Sequence, residues 1–147
     1  MREILFRGKY SKKSPDWIEG GFHKDEDANI CEISYRYYKK EGETKAGIWV
    51  YGVVVPETVG QYTGVTDKNG KKIFEGDICE VTTFTYDGVD IQLLGEVCFK
   101  CCSFVFQDLK HPNIEVLFSS VCDFDTDVEV IGNIYDNPEL IGGEANG

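Results

Sequence analysis

The chain has 147 residues, of which 41% are hydrophobic and 13% aromatic, which is enough for one folded domain with its own core. A chain of this length buries about 68–70% of its unfolded surface, so disulfide bonds are not needed for stability. The formal net charge of −11 argues against direct nucleic-acid binding, because contacts to phosphates need a basic face.

The sequence predicts no membrane span, because it has no uninterrupted run of about 18 apolar residues. The opening residues 1–7 have basic side chains, but their apolar stretch is too short for a signal peptide. We therefore expect a cytoplasmic protein with no membrane partner.

The charges are unevenly distributed. Residues 111–147 contain eight acidic side chains and no Lys or Arg, whereas residues 1–110 contain all 15 basic ones. The start of the chain is locally basic, with Arg2, Arg7, Lys9, Lys12 and Lys13. A basic start and an acidic end could pair within or between chains. The favoured interpretation is a solvated acidic surface that keeps the protein soluble.

The first predicted elements are strands joined by loops. Residues 3–7 predict a short strand closed by Gly8, and the polar, Gly-rich residues 11–29 predict a loop. Residues 30–38 alternate β-branched and aromatic side chains, which is typical of a strand. A charged, hairpin-like link over residues 39–47 leads to the strongest predicted strand, residues 48–55, which Pro56 ends.

From residue 61 onward, turn signals separate short predicted strands. Asn69-Gly70 predicts a type I′ hairpin turn, in which both central residues have positive φ. Glu75-Gly76-Asp77 predicts a turn into a strand over residues 78–84. Further strands are predicted at residues 91–99, 104–106, 114–118 and 128–135, with turns at residues 87–88, 100–103 and 111–113. Residues 118–123 could form a helical turn.

Closely spaced strands with Gly and Pro turns indicate a mainly β fold. We predict a small SH3-like barrel or a compact β-sandwich, with an N-terminal β-rich excursion. Residues 1–140 are expected to form a single domain, in which residues 11–47 are a variable insertion and residues 61–140 are the most barrel-like part. Residues 141–147 are expected to be a flexible tail.

Three stretches of the sequence resemble the YopX family. They are residues 4–9 together with residues 49–52, residues 62–78 with their Tyr-Thr-Gly and Asp-Lys-Asn-Gly segments, and residues 129–140, which end in Tyr-Asp-Asn-Pro-Glu-Leu. The matching stretches are distributed over nearly the whole chain, but the segment of residues 11–47 between them shows no resemblance. It implies a mainly β, homo-oligomeric protein of a bacteriophage or prophage, located in the bacterial host cell, with no assigned catalytic residues.

Six cysteines are present, and in the cytoplasm they should be reduced. The Cys98-x-x-Cys101-Cys102 segment suggests a zinc site, because closely spaced thiolates can bind one ion. No second pair completes it, and His23 and His111 are isolated. We therefore predict no metal, and expect the strand cysteines to behave as small apolar residues.

The acids Asp123, Asp125, Asp127 and Glu129 recur at every second position, so on a strand they share one face. Their start resembles an EF-hand loop, but that loop needs Gly and Glu at its sixth and twelfth positions. A solvent-exposed acidic strand is favoured over a metal site.

No catalytic arrangement is recognisable: there is no Gly-x-Ser-x-Gly segment and no phosphate-binding loop before a helix. Trp49 and Tyr51 share one face of their strand, as do Tyr35 and Tyr37. Core packing is the default expectation for such rings, whereas an exposed aromatic patch would mark an interface.

The leading hypothesis is a non-enzymatic accessory protein that needs no cofactor, binds other molecules and assembles with itself. Its candidate interface is the turn formed by Tyr135, Asp136, Asn137 and Pro138. One alternative is an acidic DNA mimic that binds a basic host protein. The other is a small metal-dependent enzyme.

Overall fold

The computed structural model describes residues 1–37, 47–122 and 126–142. These residues form eleven strands, one short 3₁₀ turn and two short helices. The chain divides into two compact units, Met1–Gln61 and Tyr62–Gly147, which we call the N-terminal and C-terminal units.

The N-terminal unit is an antiparallel sheet. Its strands are β1 (Phe6–Gly8), β2 (Ile18–Asp25), β3 (Ile30–Tyr37) and β4 (Ile48–Val54), followed by the 3₁₀ turn Pro56–Thr58 and the start of β5 (Gly60–Thr66). The strand order is β4-β3-β2-β1-β5, so β4 lies at the edge. One face of this sheet carries a small core, built from Ile18, Cys31, Ile33 and Val54.

The C-terminal unit contains a second antiparallel sheet. Its elements are β6 (Lys72–Phe74), β7 (Asp77–Phe84), β8 (Asp90–Lys100), β9 (Ser103–Asp108), β10 (Glu115–Leu117), α1 (Phe118–Val121), β11 (Thr126–Asn133) and α2 (Glu139–Gly142). Five strands have the order β10-β9-β8-β7-β11, and β6 forms a hairpin with β5. The larger core of the protein lies here, with Ile73, Cys79, Val97 and Phe106 nearly inaccessible to solvent.

The prediction of a mainly β protein is confirmed. Neither sheet of the described residues closes into a barrel, so the SH3-like alternative is not formed. Two open antiparallel sheets are consistent with the sandwich alternative. The helical turn is confirmed as α1, and the strong strand at residues 48–55 is confirmed as β4. The predicted single domain, its insertion and its barrel-like part stay predictions.

The prediction of a loop over residues 11–29 is wrong, because β2 occupies Ile18–Asp25. Gly20 and Gly21 suggested a loop, but they serve the strand pairing. A Cβ atom at Gly20 would lie 1.9 Å from the carbonyl oxygen of Ser34 on the neighbouring β3. Glycine therefore allows two backbones to approach here, which is a recognised use of glycine inside a strand.

The Asn69-Gly70 hairpin forms, but its turn is not type I′. Gly70 has a φ of +81°, whereas Asn69 is outside the positive-φ region. The Gly70 N–H donates to the Asp67 carbonyl oxygen (2.9 Å), and the Asp67 N–H donates to the Lys71 carbonyl oxygen (2.7 Å). This is the pattern of a type I turn followed by a left-handed glycine, which is the usual three-residue hairpin loop.

The predicted link at residues 39–47 lies outside the described residues except for Gly47. The predicted tail, residues 141–147, is described only to Gly142, where α2 ends.

Candidate interaction surface

Three apolar side chains of β4 face solvent on the side of the sheet opposite its core. Trp49, Tyr51 and Val53 are 61%, 63% and 54% exposed, whereas Val54 on the other face is 3% exposed. Alternation along the strand places the three on one face, and we call them the β4 face. A contiguous exposed apolar patch of this kind marks an interaction site more often than an isolated exposed residue does.

The β4 face is bordered by polar side chains of β3. In the antiparallel register, Arg36 pairs with Trp49, Ser34 with Tyr51, and Glu32 with Val53. The Arg36 guanidinium carbon lies 5.5 Å from the centre of the Trp49 ring, and its Nη2 donates to the Gly47 carbonyl oxygen at 2.8 Å. A cation near an aromatic face is attractive. This contact orients the Trp49 ring while leaving most of its surface open.

The default expectation of core packing is therefore wrong for Trp49 and Tyr51. Both faces of β4 are apolar, so the strand has no polar side that would identify the solvent-facing direction. The sequence does contain one indication of which face is buried, namely the glycine in the strand. Gly52 lies against the Ile18 and Tyr10 side chains on the core face. Its small size marks that face as the crowded one.

In the C-terminal unit, residues that carry the family resemblance stabilise turns by accepting hydrogen bonds from backbone N–H groups. The carboxylate of Asp67 accepts backbone N–H groups of Asn69 and Lys71 through Oδ1 (2.9 Å each) and of Val130 through Oδ2 (3.1 Å). Burial acts to raise the pKa of Asp67, but the three N–H donors outweigh it and hold that pKa below its ordinary value. Asp67 thus fastens the β5–β6 turn to β11.

A second locked turn follows β11. The Oδ1 atom of Asn133 accepts the N–H groups of Tyr135 (3.0 Å) and Asp136 (2.8 Å), and the Asn137 Oδ1 accepts the Asn133 N–H (3.2 Å). A Cβ atom at Gly132 would lie 2.5 Å from the Asn137 Oδ1. The Gly-Asn-x-x-x-Asn spacing is therefore explained by local backbone hydrogen bonding.

The four residues of the candidate interface turn differ in their exposure to solvent. Asp136 and Pro138 are exposed, and Tyr135 and Asn137 are half-buried. The turn is thus open to a partner on one side, while its Asn137 amide is engaged internally. Its role as an interface stays a prediction.

The cysteines of the Cys98-x-x-Cys101-Cys102 segment have different environments. Cys101 and Cys102 form the exposed turn between β8 and β9, with φ values of +49° and +62°. Cys98 is half-buried, and its Sγ lies 3.7 Å from the Gln107 Oε1. Burial, with the nearby Glu96, raises the pKa of the Cys98 thiol to about 12. Among the described residues, no three His, Cys, Asp or Glu side chains are grouped to hold a metal.

Half of the acidic run can be placed, since Asp123 and Asp125 lie outside the described residues. Val128 is buried in the core, and Asp127 and Glu129 take the other face of β11. Glu129 pairs in register with Glu80, and a Glu129 carboxylate oxygen lies 2.8 Å from the Lys68 Nζ. A lysine therefore offsets the like-charge repulsion here.

Two of the five basic side chains at the start of the chain are enclosed, whereas Arg2, Lys12 and Lys13 are exposed. Lys9 is 1% and Arg7 6% exposed, with their charged groups 5.2 Å and 4.2 Å from the centre of the Trp17 ring. The Lys9 N–H also donates to the Thr58 Oγ1 at 3.0 Å. The idea that Arg7 and Lys9 are available to attract the acidic end is therefore corrected.

No helix in the described part of the chain is long and apolar enough to cross a membrane.

These features define a mainly β protein with locked turns and an exposed apolar strand at a sheet edge. The chain belongs to the YopX family, whose model, described as YopX protein, matches residues 5–142. A search of curated proteins found no match.

The fold is shared with a solved structure, the crystal structure of protein EF1440 from Enterococcus faecalis. The TM-score is 0.57 at 23% sequence identity, over 96% of this chain and 99% of that one. At this identity the likeness shows the fold alone.

Proposed function

We propose that the protein is a non-enzymatic accessory protein of a phage or prophage, acting in the cytoplasm of the bacterial host by binding and by assembling with itself. The observation that carries the proposal is the β4 face, where Trp49, Tyr51 and Val53 are each more than half exposed. Leaving such rings in water forgoes a large part of the favourable free energy of apolar burial. A partner that covers them would recover it.

The use of the polar residues supports a binding role over a catalytic one. The side-chain oxygens of Asp67 and Asn133 accept hydrogen bonds from backbone N–H groups. Burial raises the pKa of the Cys98 thiol, which disfavours the nucleophilic thiolate. A general base or nucleophile needs a free lone pair directed at a substrate, and these groups direct theirs inward.

The proposal is tested by the oligomeric state of the untagged protein, from sedimentation velocity and native mass spectrometry. Changing Trp49→Ser together with Tyr51→Ser should shift the protein towards monomer. The matched control is Phe84→Ser with Tyr86→Ser, which removes two exposed aromatic rings from the C-terminal unit. A chemical turnover by pure protein that one substitution abolishes would overturn the non-enzymatic role.

An acidic decoy is the second candidate, favoured by the net charge of −11 and the absence of Lys and Arg after residue 110. It requires a basic host protein as partner, held by charge and therefore released by salt. Capture from host lysate at low salt, with loss at high salt, would support it. The same native mass spectrum reports bound metal, which a small metal-dependent enzyme should retain.

A further inference from the structure

The edge strands of this protein differ in how they are protected against pairing with another chain. Exposed edges are normally shortened, charged or bulged, because their free N–H and C=O groups otherwise attract another strand. Among the described residues, β6 and β10 each have three residues, including Lys72 and Glu115. The longer β11 carries Asp127 and Glu129 and has a register shift between Val130 and Gly132.

β4 has none of these protections. It is seven residues long, contains no charged residue, and pairs with β3 over seven consecutive positions without a bulge. Its outward side chains are Trp49, Tyr51 and Val53, all well exposed. Among the described edge strands, β4 is therefore the one best suited to hydrogen-bond with a strand of another chain.

We infer that β4 pairs with β4 of a second copy, antiparallel and centred on Tyr51, so that the N-terminal sheets of two chains become one continuous sheet. This rests on the self-assembly in the proposed function and names its contact. In this register Tyr51 faces its own copy, and Trp49 faces the smaller Val53 of the other chain. Centring on Tyr51 gives the fullest overlap, because Tyr51 is the middle residue of the strand.

Charge complementarity favours a second copy as the occupant. Arg36 borders the Trp49 end of β4 and Glu32 borders the Val53 end. A two-fold axis through Tyr51 brings the Arg36 end of one copy to the Glu32 end of the other. The Arg36 guanidinium lies near the Trp49 ring on the neighbouring strand, and so extends towards the β4 edge of the sheet. A parallel arrangement would instead align like charges.

The expected affinity is modest. Large aromatic side chains bury about 150–250 Å² each when fully covered, and these rings are already partly covered. Three side chains per copy thus fall short of the roughly 1,200 Å² at which stable interfaces begin. We expect a concentration-dependent dimer with a dissociation constant in the micromolar range.

Salt should change this dimer little. The unit that carries β4, residues 1–61, contains ten basic and ten acidic side chains, so its net charge neither drives nor opposes the pairing. A basic host protein held by charge should instead be released as the salt concentration rises. The salt dependence of association therefore separates the two kinds of partner.

The test uses charge swaps at the two-fold position in the full-length protein. Tyr51→Lys and Tyr51→Glu should each abolish dimerisation, because each places like charges directly opposite. An equimolar mixture of the two variants should restore a dimer, and native mass spectrometry should show it as the heterodimer. Tyr51→Phe, which keeps the aromatic ring and adds no charge, serves as the control and should keep most of the association.

Circular dichroism checks that the variants are folded, and hydrogen exchange of the β4 amides gives a second readout that needs no variant. These amides should exchange more slowly as wild-type concentration rises. An assembly that persists in both charge variants overturns β4 pairing and leaves self-assembly intact. Wild-type protein that is monomeric at every concentration and salt level overturns self-assembly itself, and the pairing with it.

Discussion

The carboxylate of Asp67 accepts a hydrogen bond from the backbone N–H of Val130, 3.1 Å away and 63 positions later in the chain. The same carboxylate closes the β5–β6 turn. A single side chain thus joins a local turn to β11, which pairs with β7 at one edge of its sheet.

Asp67→Ala should destabilise the protein by about 3 kcal/mol, because it leaves three backbone N–H groups without their acceptor in a mostly buried place. Urea denaturation followed by circular dichroism measures this. Asp87→Ala, in an exposed turn, is the control and should change stability little. If the free energy of unfolding of Asp67→Ala falls no further than that of the control, water must replace the carboxylate as acceptor of these hydrogen bonds.

Stability should fall at acidic pH through the same group. The folded-state pKa of Asp67 is lowered, so the unfolded chain binds the proton more readily. The contribution is complete above the ordinary pKa of 3.8 and disappears as the pH falls through the lower folded value. The difference in melting temperature between wild type and Asp67→Asn should therefore shrink as the pH falls below 3.8. A constant difference would contradict it.

The turn between β8 and β9 places two non-glycine residues at positive φ, Cys101 and Cys102. This conformation costs about 1–2 kcal/mol for most L-residues, and Asn-Gly is the preferred pair for it. Replacing Cys101→Asn with Cys102→Gly should raise the free energy of unfolding by about 1–2 kcal/mol. Chemical denaturation tests the gain, and an unchanged midpoint would mean that the turn relaxes without strain.

Thiol reactivity should single out the same pair. Cys101 and Cys102 are exposed, Cys31 and Cys79 are buried, and burial raises the pKa of the thiols of Cys98 and Cys122. Titration of the native protein with a disulfide reagent should give two fast thiols, and all six after denaturation. The Cys101→Ser, Cys102→Ser variant should lose the fast phase, and a remaining fast phase would point to local opening elsewhere.

The turn at Tyr135–Pro138 can be tested as an interface by changes that keep the hydrogen bonds of its backbone N–H groups. Glu139→Lys does remove the exposed hydrogen bond that the Asn137 Nδ2 donates to the Glu139 Oε1 (3.2 Å). Pro138→Ser and Glu139→Lys change exposed positions, so neither should alter the melting temperature by more than a few degrees. If the turn contacts a partner, both should weaken assembly in sedimentation experiments. Equal weakening by Asp87→Lys, which makes the same charge change as Glu139→Lys at an exposed site in another turn, would indicate a general charge effect instead.

Local chemistry made much of this fold predictable. Asp, Asn, Gly and Pro bond or bend their own neighbourhood, so the turns at Gly76, Gly88 and His111-Pro112-Asn113 and most strand positions followed from short stretches of sequence. The same local rules failed at Gly20, where the reason for glycine is the Ser34 carbonyl oxygen of a strand distant in sequence. They also failed at Asn69, where the Asp67 side chain selects another turn.

The sequence by itself determined the mainly β class, the YopX family and the turn residues, since each depends on short-range patterns. Only the tertiary structure decided which side of β4 faces water, because both sides of that strand are apolar and burial depends on neighbouring strands. It also decided that Arg7 and Lys9 are enclosed beside Trp17, and that β4 ends a sheet with no charge or bulge to protect it. Strand order and burial arise from contacts between distant segments, and these determine where the protein can meet a partner.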